Sequence, residues 1–283
     1  MSRVLSVART DFLDVRRSKM LWGVTAAYVL FTGLIMAGQI LGQTEGEELL
    51  DITLLFITQF GGLVIPVIAL IAAYLAIAGE RERGSITFQL GLPVRRWELV
   101  VGKWLSRALV VALAVVVAFV VLLGLAVLGG GSLGGAPVAT VFALTLLFAV
   151  VHVSVAVGVS GATGSRSRAM AAVIGFYFLF GVLWGFAGIS VPGLVDFVLS
   201  ELFGTGLSRN AQAALDMVSP TGAFVELITE LTDLFESFQP GPQQAQPAEP
   251  WWLGVPLASA VMGFWLTVPV ALGYLKFRGA DVS

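Results

Sequence analysis

The sequence contains no cysteine and only one histidine, His152. Without thiols the chain can form neither a disulfide framework nor a cysteine-ligated metal site, and one histidine cannot build a conventional zinc centre. The sequence also lacks the H-E-x-x-H pattern of the common membrane zinc proteases. It has no G-x-x-x-x-G-K-[S/T] either, so there is no P-loop to hold nucleotide phosphates. We therefore expect no catalytic motif, metal or cofactor on this chain.

Charged residues are scarce as well. They make up 12% of the 283 residues, whereas 57% are hydrophobic and the mean hydropathy is +0.92. This balance excludes an ordinary soluble globular domain. The apolar runs are continuous and show no period of two, which argues against a membrane β-barrel. The sequence therefore predicts an all-α integral membrane protein.

Six apolar segments are long enough, at about 20 residues or more, to cross a hydrocarbon core of about 30 Å as helices. They lie at about 20–41, 54–79, 104–128, 137–160, 169–191 and 251–275, within a single transmembrane domain that covers 1–283. Fifteen of the 16 Lys and Arg residues fall on one side of this topology, and only Arg209 falls on the other. Basic residues near span ends stay in the cytoplasm, so we expect both termini to be cytoplasmic in a multi-pass protein of the cell membrane.

Residues 1–19 are predicted to form an amphipathic helix. Apolar residues recur there at helical spacing between Arg and Asp residues, at Val4, Leu5, Ala8, Phe12 and Val15. Such a helix lies in the inner membrane interface, where its basic residues face anionic lipid headgroups. The alternative is that 1–19 is simply the charged flank of the first span.

The segment 192–250 is a long, acidic loop on the extracytoplasmic side. Its apolar residues fall on one helical face over 224–238, after a turn at 216–220, and a shorter helix is expected near 194–203. The tract 240–250 is a Pro/Gln-rich linker. The apolar face of 224–238 has two plausible locations, the outer leaflet or a protein surface. The acidic character of the loop favours protein, either an extracytoplasmic partner or the chain itself.

Polar residues inside the predicted spans are few. No Asp, Glu, Lys or Arg lies in the middle of a span, so the carboxylate that a proton-coupled carrier needs is missing and the energy for transport must come from elsewhere. Gln39, Gln59 and His152 are candidates for a translocation path, although such residues usually form hydrogen bonds between helices. Gly181 and Gly185 form a G-x-x-x-G pattern that permits a close helix contact and a possible dimer contact, but this pattern is also frequent by chance in Gly-rich spans.

The cytoplasmic loop 80–103 carries apolar residues that would not be left in water without a reason. They include Ile86, Phe88, Leu90, Leu92, Trp97, Leu99 and Val100, and they predict either a docking surface or a segment that folds back onto the inner leaflet. Gly91 and Pro93 divide the loop into two short helical pieces.

The same loop carries the most specific sequence pattern. Glu80-Arg81-Glu82-Arg83-Gly84-Ser85 is followed by Leu92-Pro93-Val94-Arg95-Arg96 and then by Gly102-Lys103. This pattern resembles the permease subunits of ABC-2 type transporters, and residues 165–172 and 219–224 are weaker matches to the same family. Within the family, the layout is most similar to permeases of nitrous oxide reductase maturation systems. The resemblance covers essentially the whole chain.

The resemblance implies that the loop contains a coupling helix that docks onto a separate cytosolic ATPase subunit, which would hold the ATP and magnesium. It further implies a homodimer of permeases and export of a substrate. The residues expected to take part in ATPase coupling are Glu80, Arg81, Glu82, Arg83, Gly84, Phe88, Leu92, Pro93, Arg95, Arg96, Gly102 and Lys103. By analogy, Glu80 and Glu82 would pair with basic residues of the N-terminal helix or of the ATPase. Arg95 and Arg96 would face an acidic rim on the ATPase.

Two other classes stay open at this point. A stand-alone secondary carrier or channel would show gradient-dependent flux without any partner. A non-transporting membrane scaffold or an intramembrane enzyme would act or assemble without an ATPase. A nucleic-acid partner is not expected. The substrate is not fixed by the sequence: lipid-like molecules, peptides, drugs and a species that serves metalloenzyme assembly are all compatible with it.

Overall fold

The computed structural model describes residues 3–42, 46–87, 94–131, 135–184, 190–235 and 250–280. Over these ranges the chain is helical and contains no β-strand. The first seven helices are α1 Arg3–Val15, α2 Lys19–Leu41, α3 Gly46–Ala73, α4 Ala78–Glu82, α5 Arg96–Leu128, α6 Ala136–Ala162 and α7 Arg166–Phe176. A π-helical segment, Tyr177–Val182, continues α7 and is followed by α8 Val191–Phe203, α9 Arg209–Asp216, α10 Pro220–Leu231 and α11 Val255–Arg278. The predicted all-α fold is confirmed for these residues.

Among the described residues, five helical segments are long and apolar enough to cross a membrane. They are Lys19–Leu41, Glu48–Glu82, Arg96–Leu128, Ala136–Ala162 and Val255–Arg278, and they correspond to the first four and the last of the predicted spans. The second span begins earlier than the predicted residue 54, and α5 begins eight residues before the predicted residue 104. The charged residues at the start of α5 are therefore part of a long membrane helix and not part of a loop.

The fifth predicted span, 169–191, is not one helix. α7 and the π-helical segment together give 17 continuous residues and end at Val182. The π-helical segment closes with a hydrogen bond from Leu183 N to Phe178 O, at 2.7 Å, which runs five residues back along the chain. A turn at Leu183 and Trp184 follows, residues 185–189 lie outside the described residues, and the next described helix starts at Val191. The hydrophobicity of this segment is continuous, so the sequence pattern gave no sign of the break.

α3 and α4 are separated by a break in the second span at residues 74–77. The hydroxyl of Ser160 on α6 accepts hydrogen bonds from Ile77 N at 2.9 Å and Ala78 N at 3.0 Å. A helix start leaves backbone N–H groups without partners inside the helix, and buried donors of this kind require an acceptor. Ser160 therefore stabilises the break and fixes α4 above the end of α6.

α6 and α11 cross at glycines. A Cβ atom at Gly158 would overlap the carbonyl oxygen of Pro269, and one at Gly161 would lie 3.0 Å from the carbonyl oxygen of Gly273. Only residues without a side chain allow the two backbones to approach this closely, and small residues serve this purpose in membrane helix pairs. This crossing joins the last span to the centre of the bundle.

The loop after the π-helical segment folds back onto the bundle. α10 buries Phe224 and Ile228 against α6 and α11, and the Phe224 ring stacks on Phe148 with centroids 4.4 Å apart. The apolar face predicted for 224–238 thus packs largely on the chain itself. The helix is shorter than predicted because it ends at Leu231, and residue 238 lies outside the described residues. α8 matches the short helix expected near 194–203, whereas α9 was not predicted.

The glycine crossing provides a test of the packing. We expect Gly158→Ala to lower the thermal stability of the purified chain in mild detergent, because overpacking a close contact costs about 1–3 kcal/mol. Gly263→Ala is the matched control, since nothing lies within 4 Å of a Cβ atom at this position of α11. Equal melting temperatures for the two variants would contradict the close approach of α6 and α11.

Candidate functional site at the basic end of the bundle

One end of the bundle collects most of the sequence-predicted residues. We call it the basic end: it is formed by α1, α4, the first turns of α5 and α7, and the last turn of α11. The opposite end, which carries α8, α9 and α10, is the loop end. The first and the last described segments both lie near the basic end. α1 packs along α5, and Arg96, the first residue of α5, donates to the carbonyl oxygens of Phe277, Arg278 and Ala280.

Lys103 is the most deeply buried charged residue of the basic end, with 1% of its surface exposed. Its ammonium group lies 3.1 Å from Asp11 Oδ1 on α1 and 2.7 Å from Glu80 Oε1 on α4. A buried ammonium group is tolerated only when it is paired and hydrogen-bonded. The prediction paired Glu80 with a basic residue of the N-terminal helix or of the ATPase. In the structure α1 supplies a second acid, Asp11, and the cation that both acids share comes from α5.

Asp11 extends this network to the next turn of α5. Its carboxylate accepts hydrogen bonds from Ser106 Oγ at 2.7 Å and from Arg107 Nε and Nη2, each at 2.8 Å. Burial raises the pKa of Asp11, but the charges of Arg107 and Lys103 and the hydrogen bonds from Arg107 and Ser106 outweigh it, so the pKa lies below the ordinary 3.8. Asp11 is therefore ionised, and two acids face two bases. We call Asp11, Glu80, Lys103 and Arg107 the basic-end network.

The pair Gly102-Lys103 has a local physical explanation. A Cβ atom at Gly102 would lie 2.8 Å from the side chain of Val7 and 3.0 Å from the backbone oxygen of Val4. Gly102 therefore lets α1 lie directly against α5, and the next residue, Lys103, reaches Asp11. Both residues were predicted to take part in ATPase coupling, and that role stays a prediction. In the structure they join α1 to α5 within the chain, where Lys103 is buried.

Arg96 is likewise engaged within the chain. Its Nη1 atom donates to the carbonyl oxygens at the end of α11, at 2.9 Å to Phe277, 2.7 Å to Arg278 and 2.9 Å to Ala280. Its guanidinium also lies 5.6 Å from the centre of the Phe277 ring. A cation at a helix C-terminus satisfies carbonyls that have no partner inside the helix. This contact engages Arg96 within the chain, whereas the neighbouring Arg95 is exposed. That Arg95 and Arg96 face an acidic rim on the ATPase stays a prediction.

The other charged residues of the motif join α4 to α6 and α7. Arg81 Nη1 donates to Thr163 O at 3.0 Å, and Glu82 Oε2 accepts from the backbone N of Arg166 at 2.5 Å. The side chains of Glu82 and Arg166 also form an ion pair at 3.9 Å. Glu82 therefore pairs with the start of α7 and not with α1.

The remaining loop residues divide into exposed, buried and undescribed positions. Arg83 and Gly84 are exposed, and Gly84 adopts a positive φ of 71° at the turn that ends α4. Ile86, which was expected to be exposed on a docking surface, is buried at 1% exposure. The predicted coupling residues Phe88, Leu92 and Pro93 lie outside the described residues, as does Leu90.

The three candidates for a translocation path are not brought together. His152 is buried, and its Nδ1 lies 2.9 Å from Phe148 O of its own helix, so the expected bond between helices is not the one observed. The imidazole packs edge-on against the rings of Phe148 and Phe176. Gln59 is exposed in a cavity at the loop end, and Gln39 is half-buried near the end of α2.

The predicted G-x-x-x-G contact is described only at its first residue. Gly181 is buried within the chain, where a Cβ atom would lie 3.1 Å from the Tyr177 ring, and Gly185 lies outside the described residues. Tyr177 itself donates a hydrogen bond to Leu63 O at 3.1 Å. A dimer contact at this pattern stays a prediction.

Asp11 is the functional candidate that sequence reasoning missed. It lies on the same helical face as Ala8 and Val15, at spacings of three and four residues, and all three residues are buried. The sequence does carry a signal for Asp11, which is an acidic residue on the apolar side of an amphipathic helix. A carboxylate in that position becomes buried and therefore requires a cation as a partner. Within the described ranges, no group of three or more His, Cys, Asp or Glu residues could hold a metal ion.

Comparison with known proteins identifies the family. The sequence model of the family described as "ABC-2 family transporter protein" matches residues 5–282 of this chain. The chain belongs to this ABC-2 family. A protein from Pseudomonas aeruginosa named "Probable ABC transporter permease protein NosY" is 26% identical over 193 residues, which are 66% of this chain and 70% of that protein. A protein of the same name from Stutzerimonas stutzeri is 30% identical over 116 residues, 41% of this chain and 42% of that relative.

The ABC-2 assignment agrees with the helices described above. The chain is a multi-pass membrane protein of a transporter family, and its sequence carries no nucleotide-binding motif. In this ABC-2 protein the family-like motif residues at both ends of loop 80–103 lie at the basic end, where most of them contact other helices of the same chain.

Removal of the Asp11 carboxylate should destabilise the basic end. Asp11→Asn leaves Lys103 and Arg107 without their shared acid, and breaking a buried charge pair typically costs about 3–5 kcal/mol. We expect a clear drop in melting temperature in detergent and faster proteolysis between α1 and α2. Asp14→Asn, on the exposed side of α1, is the control and should resemble the unmodified chain.

The same network predicts a pH dependence. Because the pKa of Asp11 is lowered on folding, its contribution to stability is present above about pH 4 and is lost as the pH falls through the lower value of the folded protein. Thermal unfolding measured from neutral pH to about pH 3 should therefore show a steeper loss of stability in Asp14→Asn than in Asp11→Asn. Parallel curves for the two variants would contradict this role of Asp11.

Proposed function

We propose that the chain is the membrane-spanning permease subunit of an ATP-binding cassette transporter. ATP and magnesium bind a separate cytosolic ATPase subunit, and hydrolysis there drives export of a substrate across the cytoplasmic membrane. The basic end faces the cytoplasm, because basic residues flank the cytoplasmic ends of membrane spans. Two copies of the permease form the working unit. The ABC-2 family match and the absence of a P-loop from the sequence support this division of labour.

The observation that carries the proposal is how firmly the loop between α4 and α5 is joined to the bundle at both of its ends. Glu80 and Lys103 connect it to α1, Glu82 connects it to α7, and Arg96 connects it to α11. A partner that displaces this loop therefore also displaces the ends of three helices. Force transmission of this kind requires short, charge-assisted contacts such as those seen here.

Only some residues of the motif are available to contact the ATPase. Arg95 and Trp97 are exposed beside the loop, whereas Arg96, Gly102 and Lys103 are occupied inside the chain. We assign docking to the exposed residues near 94–97 together with the part of the loop at 88–93, and we assign transmission to the buried residues. At the loop end, α10 is covered by the bundle. α8 keeps Phe197, Leu202 and Phe203 exposed. Among the described residues of 192–250, we assign this face to an extracytoplasmic partner or the membrane surface.

The test is co-purification of the tagged full chain from its native membranes in mild detergent, with mass spectrometry of the complex. We expect a stoichiometric ATPase with a P-loop. Arg95→Glu should reduce its recovery by about tenfold, since charge reversal at an interface of this kind costs more than about 1 kcal/mol. Arg209→Glu, which reverses the one basic residue of the loop end, should leave recovery unchanged.

Three outcomes would count against the proposal. Recovery of the chain alone, under conditions that preserve other membrane complexes, favours the stand-alone carrier or the scaffold. Equal ATPase recovery with Arg95→Glu removes Arg95 from the docking surface. A lowered melting temperature of the Arg95→Glu chain, measured without the ATPase, would show that Arg95 stabilises the chain itself, as Arg96 does.

A further inference from the structure

An open apolar groove of about 420 Å³ lies between α5 and α11, beside the basic end. The residues that shape it are Trp97, Trp104, Leu266, Thr267, Ala271 and Tyr274. Trp97 and Tyr274 stand at the end of the groove nearest the basic end, which we call its mouth, and Trp104 and Leu266 stand at the far end. The hydroxyl of Thr267 donates to Gly263 O at 2.8 Å, so it is already used within α11.

The length of the groove matches one leaflet of a membrane. Trp97 and Trp104 are seven residues apart on α5, which is about 10 Å of helix. Half of a hydrocarbon core of about 30 Å is about 15 Å, so the groove lies within the leaflet that contains the basic end. Trp97, which is 42% exposed, and Tyr274 mark the interface, where such side chains concentrate. A molecule that fills the groove at this depth is a lipid.

The shape of the groove is fixed by contacts of the surrounding helices. Trp104 Nε1 donates to Ser154 Oγ on α6 at 2.8 Å, which holds the indole at the far end. The glycine crossing described above holds α11 against α6, and Arg96 holds the last turn of α11 beside the start of α5. The small side chains of Thr267 and Ala271 leave the space between the two helices unfilled. The groove is therefore formed before a lipid binds.

Arg278 lies at the mouth of the groove. It continues the groove face of α11, because it follows three lining residues at spacings of three or four, namely Thr267, Ala271 and Tyr274. The backbone oxygen of Arg278 accepts a hydrogen bond from Arg96 Nη1 at 2.7 Å, which places it beside the first turn of α5. Arg278 is exposed, so its guanidinium is available to a headgroup at the membrane interface.

Other cations surround this position. The guanidinium groups of Arg81 and Arg96 lie 6.0 Å and 5.6 Å from the centre of the Phe277 ring, next to Arg278 in the chain. Arg95, which precedes α5, is exposed on the other side of the mouth. Cations that are crowded in this way attract an anion from the surrounding membrane.

Acidic residues do not cancel this charge within the described part of the two helices. Over α11 and the first three turns of α5 the sequence has one acid, Glu98, and its carboxylate accepts a hydrogen bond from Arg95 N at 2.7 Å. Asp281 lies outside the described residues. A two-fold contact between copies of the chain at this face would bring like charges together. The charge of the mouth therefore favours an anionic lipid over a second copy.

We propose that the groove between α5 and α11 binds one anionic phospholipid. The phosphate group lies beside Arg278, and one acyl chain follows the groove from Trp97 to Trp104. Basic pockets between membrane helices bind anionic headgroups in this manner, whereas a zwitterionic phospholipid fills the same groove without net charge for the cations. Binding itself is independent of the proposed ATPase coupling. Only the assignment of the lipid to the cytoplasmic leaflet rests on the proposed function.

The test measures lipid binding to the delipidated full chain in mild detergent by native mass spectrometry, without ATP or an ATPase. We expect one phosphatidylglycerol per chain to bind about fivefold more tightly than phosphatidylcholine with the same acyl chains. Arg278→Gln should remove this preference, because it removes the cation beside the phosphate. Ala271→Trp, which fills the groove, should weaken binding of both lipids by about fivefold or more.

Matched controls separate the groove from the general charge and surface of the chain. Lys276→Gln removes an exposed cation of α11 that is two residues from Arg278 and therefore on a different face of the helix. Leu272→Trp adds an indole at an exposed position that does not line the groove. Both should bind phosphatidylglycerol within about twofold of the unmodified chain. None of these substitutions changes Arg95 or Trp97, which the proposed docking surface uses.

The position of the lipid is tested separately on the unmodified chain. Phosphatidylglycerol with a photoreactive diazirine in one acyl chain should label residues 97–104 and 266–274. This measurement still decides if Ala271→Trp fails to fold, which its melting temperature would show.

Five results would overturn the proposal. Three are equal binding of the two lipids, equal phosphatidylglycerol affinity in Arg278→Gln and Lys276→Gln, and labelling confined to other helices. The fourth is displacement of phosphatidylglycerol by glycerol 3-phosphate, which has no acyl chain and would identify a site for a free phosphate group. The fifth is loss of a dimer in Ala271→Trp with unchanged lipid binding, which would identify the groove as a contact between copies.

Discussion

The buried ammonium group of Lys103 is the interaction on which the basic end depends. It joins three segments that are distant in sequence, because Asp11 precedes it by 92 residues and Glu80 precedes it by 23. A cation at 1% exposure is tolerable only while both acids are present, so α1, α4 and α5 must occupy one fixed arrangement or lose it together. Arg107 gives Asp11 a second partner and joins the arrangement to the end of α3 through the Ala72 carbonyl, at 2.5 Å.

The basic end and the middle of the bundle are held together by different kinds of contact. At the basic end, the contacts that position α4 and the start of α5 are ion pairs and hydrogen bonds between side chains and backbone groups. Between the ends, the spans are joined by close glycine contacts at Gly158 and Gly161 and by aromatic stacking around Phe148 and Phe224. The polar contacts of the basic end join α4 to its neighbours at defined distances, whereas the small-residue crossing of α6 and α11 brings two backbones into close contact.

Much of the architecture follows from the sequence, and the failures have identifiable causes. Continuous apolar length was sufficient to locate five spans. The helical spacing of Val4, Leu5, Ala8, Phe12 and Val15 was sufficient to predict α1. The break after Val182 was not predictable, because π-helical hydrogen bonding leaves no mark on hydrophobicity. The contacts of Glu80 and Arg96 inside the chain were not predicted, because a charge pattern shows that a partner is needed but not whether it lies in the same chain. The depth of Lys103 was missed because it stands at the edge of a span, where a solvated charge is the common case.

The contact of Arg96 with the end of α11 has a consequence for how this protein can diverge. All three acceptors are main-chain oxygens, so these hydrogen bonds do not depend on the side chains at positions 278 and 280, provided that the helix ends in the same place. Position 277 differs, because the Phe277 ring is buried and lies beside the Arg96 guanidinium. Paired substitutions, the usual trace of two residues in contact, are therefore expected between positions 96 and 277 and not between position 96 and positions 278 or 280.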